Sequence, residues 1–213
     1  GMINNPKVLN VVDKFCQFTY KLASKIVVLS PGFKKKLISR NVPEDKISVI
    51  YNWCEEKALK PKGICQYKLP ENGFNVVFAG NLGKAQGIDS IISSAKLLSD
   101  KKSNANIVLV GDGVSLKEAK ASVLESKLTN VHFIPRVPMG EVADLLNEAD
   151  ALLVHLNSDE LFKITIPSRT QAYMSVGKPI IMGVEGDASD LVRNSGGGMV
   201  CKPNNPLDLA NTI

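Results

Sequence analysis

The chain has 213 residues, 44% hydrophobic and 22% charged, which suits one large domain or one and a half and excludes a disordered chain. A formal net charge of +5 favours anionic partners: nucleotides, a phospholipid surface or nucleic acid. Aromatic residues make up only 6%, which argues against a platform that stacks single-stranded bases, so no nucleic-acid partner is expected.

Apolar residues at helical spacing predict a helix over residues 8–22. A short buried-type strand follows at 25–29, and Ser30-Pro31 caps and opens a second helix that ends near Arg40-Asn41. That helix carries Lys34, Lys35 and Lys36, read as a solvated face or as contact with an anionic membrane surface. Residues 46–50 read as another strand. Residues 55–72 are polar, with Pro61, Gly63 and Pro70 and no periodicity, and read as an interdomain linker.

A repeating unit begins at residue 73. Strands are predicted at 74–79, 107–110, 131–134, 151–155, 180–182 and 199–201. Helices are predicted at 88–98, 115–126, 140–148, 169–175 and 188–193, and a last one starts near Pro206 with Asn205 as its cap. Strands alternating with helices give a Rossmann-like parallel sheet with flanking helices, the α/β class. Right-handed crossovers place every strand-to-helix loop at one sheet edge, so the loops at Gly80, Gly111, Arg136 and Pro167 are expected to converge on a crevice.

Those loops carry the candidate chemistry. GNLGKAQG, residues 80–87, is glycine-rich but is neither G-x-G-x-x-G nor a P-loop. Its glycines, Gly80 and Gly83 among them, permit close backbone approach to a ligand, and Lys84 can neutralise a phosphate; a tight turn without a ligand reads equally well. Gly111-Asp112-Gly113 is a second loop of this kind. ITIPSRTQAYMSVGKPII, residues 164–181, places a helix start at Pro167-Ser168, where the N–H groups of Arg169 and Thr170 and the positive helix end favour an anion. Lys163, Arg169 and Arg136 are the nearest cations. His155 ends its strand at the crevice, as a ligand contact or a satisfied edge histidine. Asp159 and Glu160 read as a solvated loop.

Cys16, Cys54, Cys65 and Cys201 form no C-x-x-C pair and have no His beside them, so reduced thiols are expected and a metal is not. No apolar run reaches the ~20 residues of a membrane span, and no signal peptide is visible. A cytoplasmic location is expected, with possible contact at the inner membrane surface. Gly1 before Met2 reads as an expression scar, and the chain stops inside a predicted helix at Ile213, so both ends are expected to have been cut.

The segments VVLSPGFKKKLISRNVPEDKISVIYNW, FAGNLGKAQGIDSII, IVLVGDGVSLKE, VHFIPRVPMGEVADLLNEADALLV and PSRTQAYMSVGKPII resemble, in order and spacing, family 4 glycosyltransferases of the GT-B fold. The nearest likeness is to the O-antigen and capsule branch that includes L-fucosamine transferases, through G-N-x-G-x-x-Q-G, I-P-S-[KR]-T-Q-A-Y and Glu185-Gly186-Asp187. The resemblance implies that residues 2–54 end an N-terminal domain and that 73–213 form the nucleotide-sugar-binding domain. It implies sugar transfer from a nucleotide-diphospho-sugar, UDP-type, to a lipid-linked or saccharide acceptor, with no metal or other cofactor. On that reading Gly80, Asn81, Gly83, Lys84, Lys163, Pro167, Ser168, Arg169 and Thr170 hold the diphosphate. Gly111, Asp112, Arg136, Val137 and Gln171 hold base and ribose, and His155, Glu185, Gly186 and Asp187 the sugar. The match departs from the family where two loop cations are replaced by Asn81 and Gln86, and where a ribose-binding Glu is replaced by Ala172. Those losses also fit a non-catalytic nucleotide-sugar-binding module; an epimerase of the same architecture is a third reading. Because most of the acceptor domain is absent from the residues matched, the 213-residue piece is expected not to turn over.

Overall fold

The computed structural model describes residues 5–213; Gly1, Met2 and the rest of residues 1–4 lie outside the described residues. The chain divides into two units, Gly1–Asn52 and Trp53–Ile213.

In the first unit, helix α1 (Pro6–Leu22) starts where the Asn5 side chain accepts from the Lys7 N–H at 3.0 Å. Strand β1 (Ile26–Val28) follows, then helix α2 (Pro31–Ile38) and strand β2 (Ile47–Val49). Ser30 Oγ accepts from Phe33 N at 3.2 Å, the cap expected of Ser-Pro. The strands pair in parallel with Ile26 opposite Ile47, and Val28, Leu37, Val42 and Ile47 form a small core with Tyr20 against it. Lys46 Nζ donates to the carbonyls of Lys21 (3.1 Å) and Ala23 (2.9 Å), supplying donors to the carbonyl end of α1. Of the lysine triplet, Lys34 pairs with Glu44 at 2.9 Å, while Lys35 and Lys36 are exposed.

The second unit is a parallel sheet of β3 (Phe74–Ala79), β4 (Ala105–Val110), β5 (Val131–Ile134), β6 (Ala151–His155), β7 (Ile180–Gly183) and β8 (Gly198–Val200). Its spatial order is β5-β4-β3-β6-β7-β8. The strands are continuous apolar runs because helices cover both faces. Helices α3 (Ile88–Asp100) and α4 (Leu116–Glu125) contribute to the core that holds Phe78, Ile91, Leu109 and Leu153, and α9 (Pro206–Thr212) adds Leu209 to it. Helices α5 (Met139–Glu148), α7 (Ser168–Val176) and α8 (Asp187–Ser195) cover the opposite core with Leu145, Tyr173 and Val192. Gly177, at φ 76°, ends α7 in the left-handed conformation, and Lys178-Pro179 then leads into β7.

Order reverses between β3 and β6, and the sheet opens there. β3 pairs with β4 through all six of its residues, but with β6 only at Val76–Ala151 and Val77–Leu152. A crevice forms beyond the carboxyl ends of strands at such a point.

Two expectations change. Residues 55–72, expected as an interdomain linker, are built into the second unit, with Leu59, Cys65 and Leu69 buried in its core. The turn at 62–65 is held by the Asp144 carboxylate, which accepts from the N–H groups of Lys62 (2.6 Å), Gly63 (3.0 Å), Ile64 (2.8 Å) and Cys65 (2.8 Å). Asp159 and Glu160, read as a solvated loop, instead start a short helix, α6 (Glu160–Lys163), capped by Asp159 through the Leu161 N–H at 2.8 Å.

Those four donors favour the ionised carboxylate, and hold the Asp144 pKa at about 2, below the ordinary 3.8. The unfolded chain takes up this proton first on acidification, so the contribution is fully present above about pH 4 and is lost as pH falls through about 2. Asp144→Asn, which turns an NH2 group toward two N–H donors, should lower the thermal midpoint at pH 7. It should also remove part of the wild-type decline between pH 4 and pH 2, as followed by circular dichroism.

Candidate functional site

The strand ends set the candidates out in a row along one sheet edge. Arg136 and Val137 follow β5, Gly111 and Asp112 follow β4, and residues 80–84 follow β3. His155 ends β6, and Glu185 to Asp187 follow β7. Neighbouring strands lie ~4.8 Å apart, and Arg136 follows a strand two places from β3, at the sheet edge. Arg136 is exposed and Val137 buried.

The first two glycine loops continue the β3–β4 ladder past the strands. Gly80 N donates to Val110 O (2.9 Å), Leu82 N to Asp112 O (2.8 Å), and Ser115 N to Leu82 O (2.9 Å). A Cβ on Gly111 would stand 1.9 Å from the Gly80 carbonyl oxygen, and one on Gly113 would stand 2.4 Å from that of Leu82. Gly111 and Gly113 therefore meet a need of loop packing, not only of ligand approach. Asp112 accepts from Gly113 N at 2.7 Å, closing its own turn.

The first loop is also fastened from the β6 side. His155 Nδ1 lies 2.8 Å from Gln86 O, Asn157 N donates to Ala85 O (2.8 Å) and Asn157 Nδ2 to Lys84 O (2.7 Å). Gln86, at one of the replaced family cations, accepts from Gly83 N at 3.1 Å. Asn81 and Lys84 remain exposed on this fixed loop. His155 itself is 1% exposed, enclosed by Gly87 and Gly183, and so braces the loop from within the fold.

Across the gap between β3 and β6 stands the start of α7. Arg169 is its second residue. The guanidinium carbon lies 4.4 Å from the centre of the Phe78 ring, and the group lies 3.0–3.3 Å from where a Gly80 Cβ would be. Phe78 belongs to the opposite core from α7, so the side chain reaches from one layer toward the other at the place where the sheet is open. Its Nη1 is inaccessible to solvent and has no hydrogen-bond partner. Desolvation pushes its pKa down from the ordinary value, opposed by the Tyr173 oxygen. A guanidinium keeps its proton despite such a shift, so Arg169 is a half-buried cation whose Nη1 lacks a hydrogen-bond partner among the described residues.

Other predicted contacts are engaged elsewhere. Lys163 Nζ is 2.6 Å from Glu160 and 3.8 Å from Glu185; bonding to Glu160 raises its pKa first, and Glu185 adds to it. Ser158 Oγ reaches the same Glu185 at 3.5 Å. Gly186 lies against the Lys163 carbonyl, where a Cβ would meet oxygen at 2.0 Å, so the turn of Glu185, Gly186 and Asp187 packs onto the end of α6. The Thr170 N–H, expected to face an anion, donates to Pro167 O at 2.8 Å, and its side chain is fully buried. The Gln171 amide turns back onto Ser168 O and Pro167 O, and with its nitrogen assigned to that side it donates to both at 3.2 Å. That leaves the first-turn N–H groups of Ser168 and Arg169 for a ligand. Ala172 sits half-buried against the core and offers no hydroxyl-binding group.

Tyr173 is a residue that sequence reading passed over. Its hydroxyl accepts from Ala79 N at 2.9 Å and faces Ala79 O at 3.3 Å. A Tyr four residues after Arg169, on the same helix face, was the available signal.

Residues 61–213 match the family described as glycosyl transferases group 1. The chain is 30% identical over 212 residues to "Probable glycosyltransferase WbjE" of Pseudomonas aeruginosa, covering 95% of this chain and 52% of that one. The crystal structure of Anabaena Alr3699/HepE in complex with UDP superposes with a TM-score of 0.75 at 19% identity, over 92% of this chain and 54% of that one. WaaG, a glycosyltransferase involved in lipopolysaccharide biosynthesis, superposes at 0.66 with 17% identity, over 88% and 52%. The chain thus spans about half the length of the curated relatives it matches.

Two tests bear on the loops. Gly111→Ala should destabilise the protein by at least ~2 kcal/mol, because backbone must move to admit the methyl, and urea unfolding measures it. Burial holds the His155 pKa below the ordinary 6.5, and its bond to Gln86 only partly offsets this. Below pH 6.5 the unfolded chain binds the proton more readily, so stability falls as pH drops from 7 to 5. His132 has the same sign. His155→Gln should therefore flatten, but not abolish, the fall in thermal midpoint over that range.

Proposed function

Since the chain belongs to the group 1 glycosyl transferases, we propose that it binds a nucleotide-diphospho-sugar, UDP-type, at the crevice between β3 and β6 and serves sugar transfer to a lipid-linked or saccharide acceptor. The observation that carries this reading is the unpartnered Nη1 of Arg169 beside the start of α7 and against Gly80. A diphosphate there meets a guanidinium, the first N–H groups of a helix and the positive end of its dipole. As the bond from sugar to phosphate breaks, negative charge grows on the leaving diphosphate. Donors already fixed in place stabilise that charge without reorganising.

This arrangement moves the grip of the diphosphate across the crevice. The first glycine loop has Asn81 and Gln86 where its resemblance to the wider family leads one to expect cations, and Arg169 supplies charge from the facing helix. Lys84, exposed on the loop, is the remaining nearby cation there. Lys163 is held by two carboxylates and is assigned to ordering α6 and the 185–187 turn instead. The binding of UDP by Alr3699/HepE and the lipopolysaccharide role of WaaG, in the words of their titles, support a uridine donor and a surface-glycan acceptor.

A second reading, a nucleotide-sugar-binding module without transfer, is favoured by one observation. Ala172 stands where resemblance to the family leads one to expect a ribose-binding carboxylate. Measuring sugar release from UDP-sugars and transfer to lipid-linked acceptors by the intact protein separates the two.

Arg169→Ala should weaken UDP binding by about 1–3 kcal/mol, or about 5- to 150-fold, in isothermal titration. Unchanged affinity would mean that α7 starts there for structural reasons only.

A further inference from the structure

We propose that Tyr173 is a positioning residue for the donor diphosphate: its hydroxyl pins α7 to the last residue of β3, and so fixes Arg169 against Gly80. The proposal rests on the donor-site reading above and extends it to a side chain with no role in ligand contact.

The need for the pin follows from the sheet. In a parallel ladder each inner strand directs its N–H and C=O groups alternately to its two neighbours. The Gly80 N–H faces β4, where it meets Val110 O. The N–H and C=O of Ala79 face the other way, toward β6. There the ladder has already ended, at Val77–Leu152. The β3–β6 register gives Ala79 no partner residue on that side, and backbone groups left unpaired away from water are costly. One hydroxyl meets both needs, accepting from Ala79 N at 2.9 Å and donating to Ala79 O at 3.3 Å. Of the side chains, only a hydroxyl on a long rigid ring spans from α7 to the strand and both accepts and donates with one atom.

The consequence lies one residue beyond β3 and one turn back along α7. Ala79 is followed by Gly80, against which the Arg169 guanidinium lies at 3.0–3.3 Å from the place of a Cβ. Tyr173 is four residues after Arg169, on the same face of α7. The hydroxyl thus sets the distance between the helix start and the glycine loop, the two walls that meet the diphosphate. Tyr173 is 2% exposed and buried in the core on the helix side, so the ring cannot swing away to another partner. Without the bond the gap is free to close or to widen, and Arg169 loses its fixed place while its charge is unchanged.

The test uses the 213-residue chain and calorimetric titration with UDP, GDP, ADP and dTDP and the matching monophosphates. For the best-bound nucleotide, Tyr173→Phe should lower diphosphate affinity about 10-fold and monophosphate affinity less than about 2-fold, the loss of one hydrogen bond acting through the diphosphate cation. Arg169→Ala should show the same selectivity, and the double variant should bind no worse than Arg169→Ala alone. Circular dichroism melts confirm that each variant is folded at the titration temperature. If Tyr173→Phe does not fold, 3-fluorotyrosine placed at 173, which keeps ring and hydroxyl but accepts more weakly, should give a smaller loss of the same kind. Equal losses for diphosphate and monophosphate, or additive losses in the double variant, overturn the proposal and leave the donor site standing. Absence of binding by the wild-type chain to any of these nucleotides overturns both.

Discussion

The structure of the second unit depends on a separation between two strands. β3 and β6 are both central, both apolar and both parallel, yet they pair through only two residues each before diverging. Divergence costs hydrogen bonds, since a parallel ladder is the cheapest partner that a buried strand has. It also makes the only kind of opening that a doubly covered parallel sheet can offer, a cleft floored by strand ends and walled by loops. Much else at this edge can be read as managing that cost. The Tyr173 hydroxyl serves Ala79, while His155 and Asn157 fasten the 80–87 loop to the β6 side by contacts with loop carbonyls and not by a ladder.

Electrostatics follows from the same opening. A guanidinium placed in a closed sheet would have no route to an anion. At the gap the Arg169 guanidinium lies over the Phe78 ring, which adds attraction to the ring quadrupole. One nitrogen is then left unsatisfied. The lysine expected to help, Lys163, lies close by in sequence but faces Glu160 and Glu185, so its charge is already balanced. Cations near a phosphate site differ in value by what else they touch. An arginine with no carboxylate in reach contributes more than a lysine with two.

The sheet itself was legible. Three strands, at residues 74–79, 131–134 and 151–155, coincide with their expected bounds, because short apolar runs between turn residues have few alternatives inside an α/β repeat. Asn205 and Ser30 were legible as caps for the same local reason. What was hidden is tertiary. Leu59, Cys65 and Leu69 follow no period, so a segment rich in Pro and Gly read as a linker while it was lining a core. Asp144 looked like any carboxylate on an amphipathic helix. Tyr173 looked like any helix residue, since its task exists only because two strands diverge. The placing of the strand-to-helix loops along one sheet edge was foreseeable from handedness alone. The burial of His155 and the inward turn of Gln171 were not, because each depends on which neighbour comes within hydrogen-bond reach.

The Asp144 clasp also bears on the order in which the domain forms. Its four bonds join backbone at 62–65 to a side chain 79 to 82 residues away. Contacts so distant along the chain come late, after the loop between them has been shortened by intervening structure. Strands β3, β4 and β5 and helices α3 and α4 lie between the two ends, so the clasp is expected to shut on a half-built sheet and not to nucleate it. A clasp that shuts late is expected to be among the first contacts to open, and amide exchange at 62–65 would separate such an opening from the global unfolding that the central strands report.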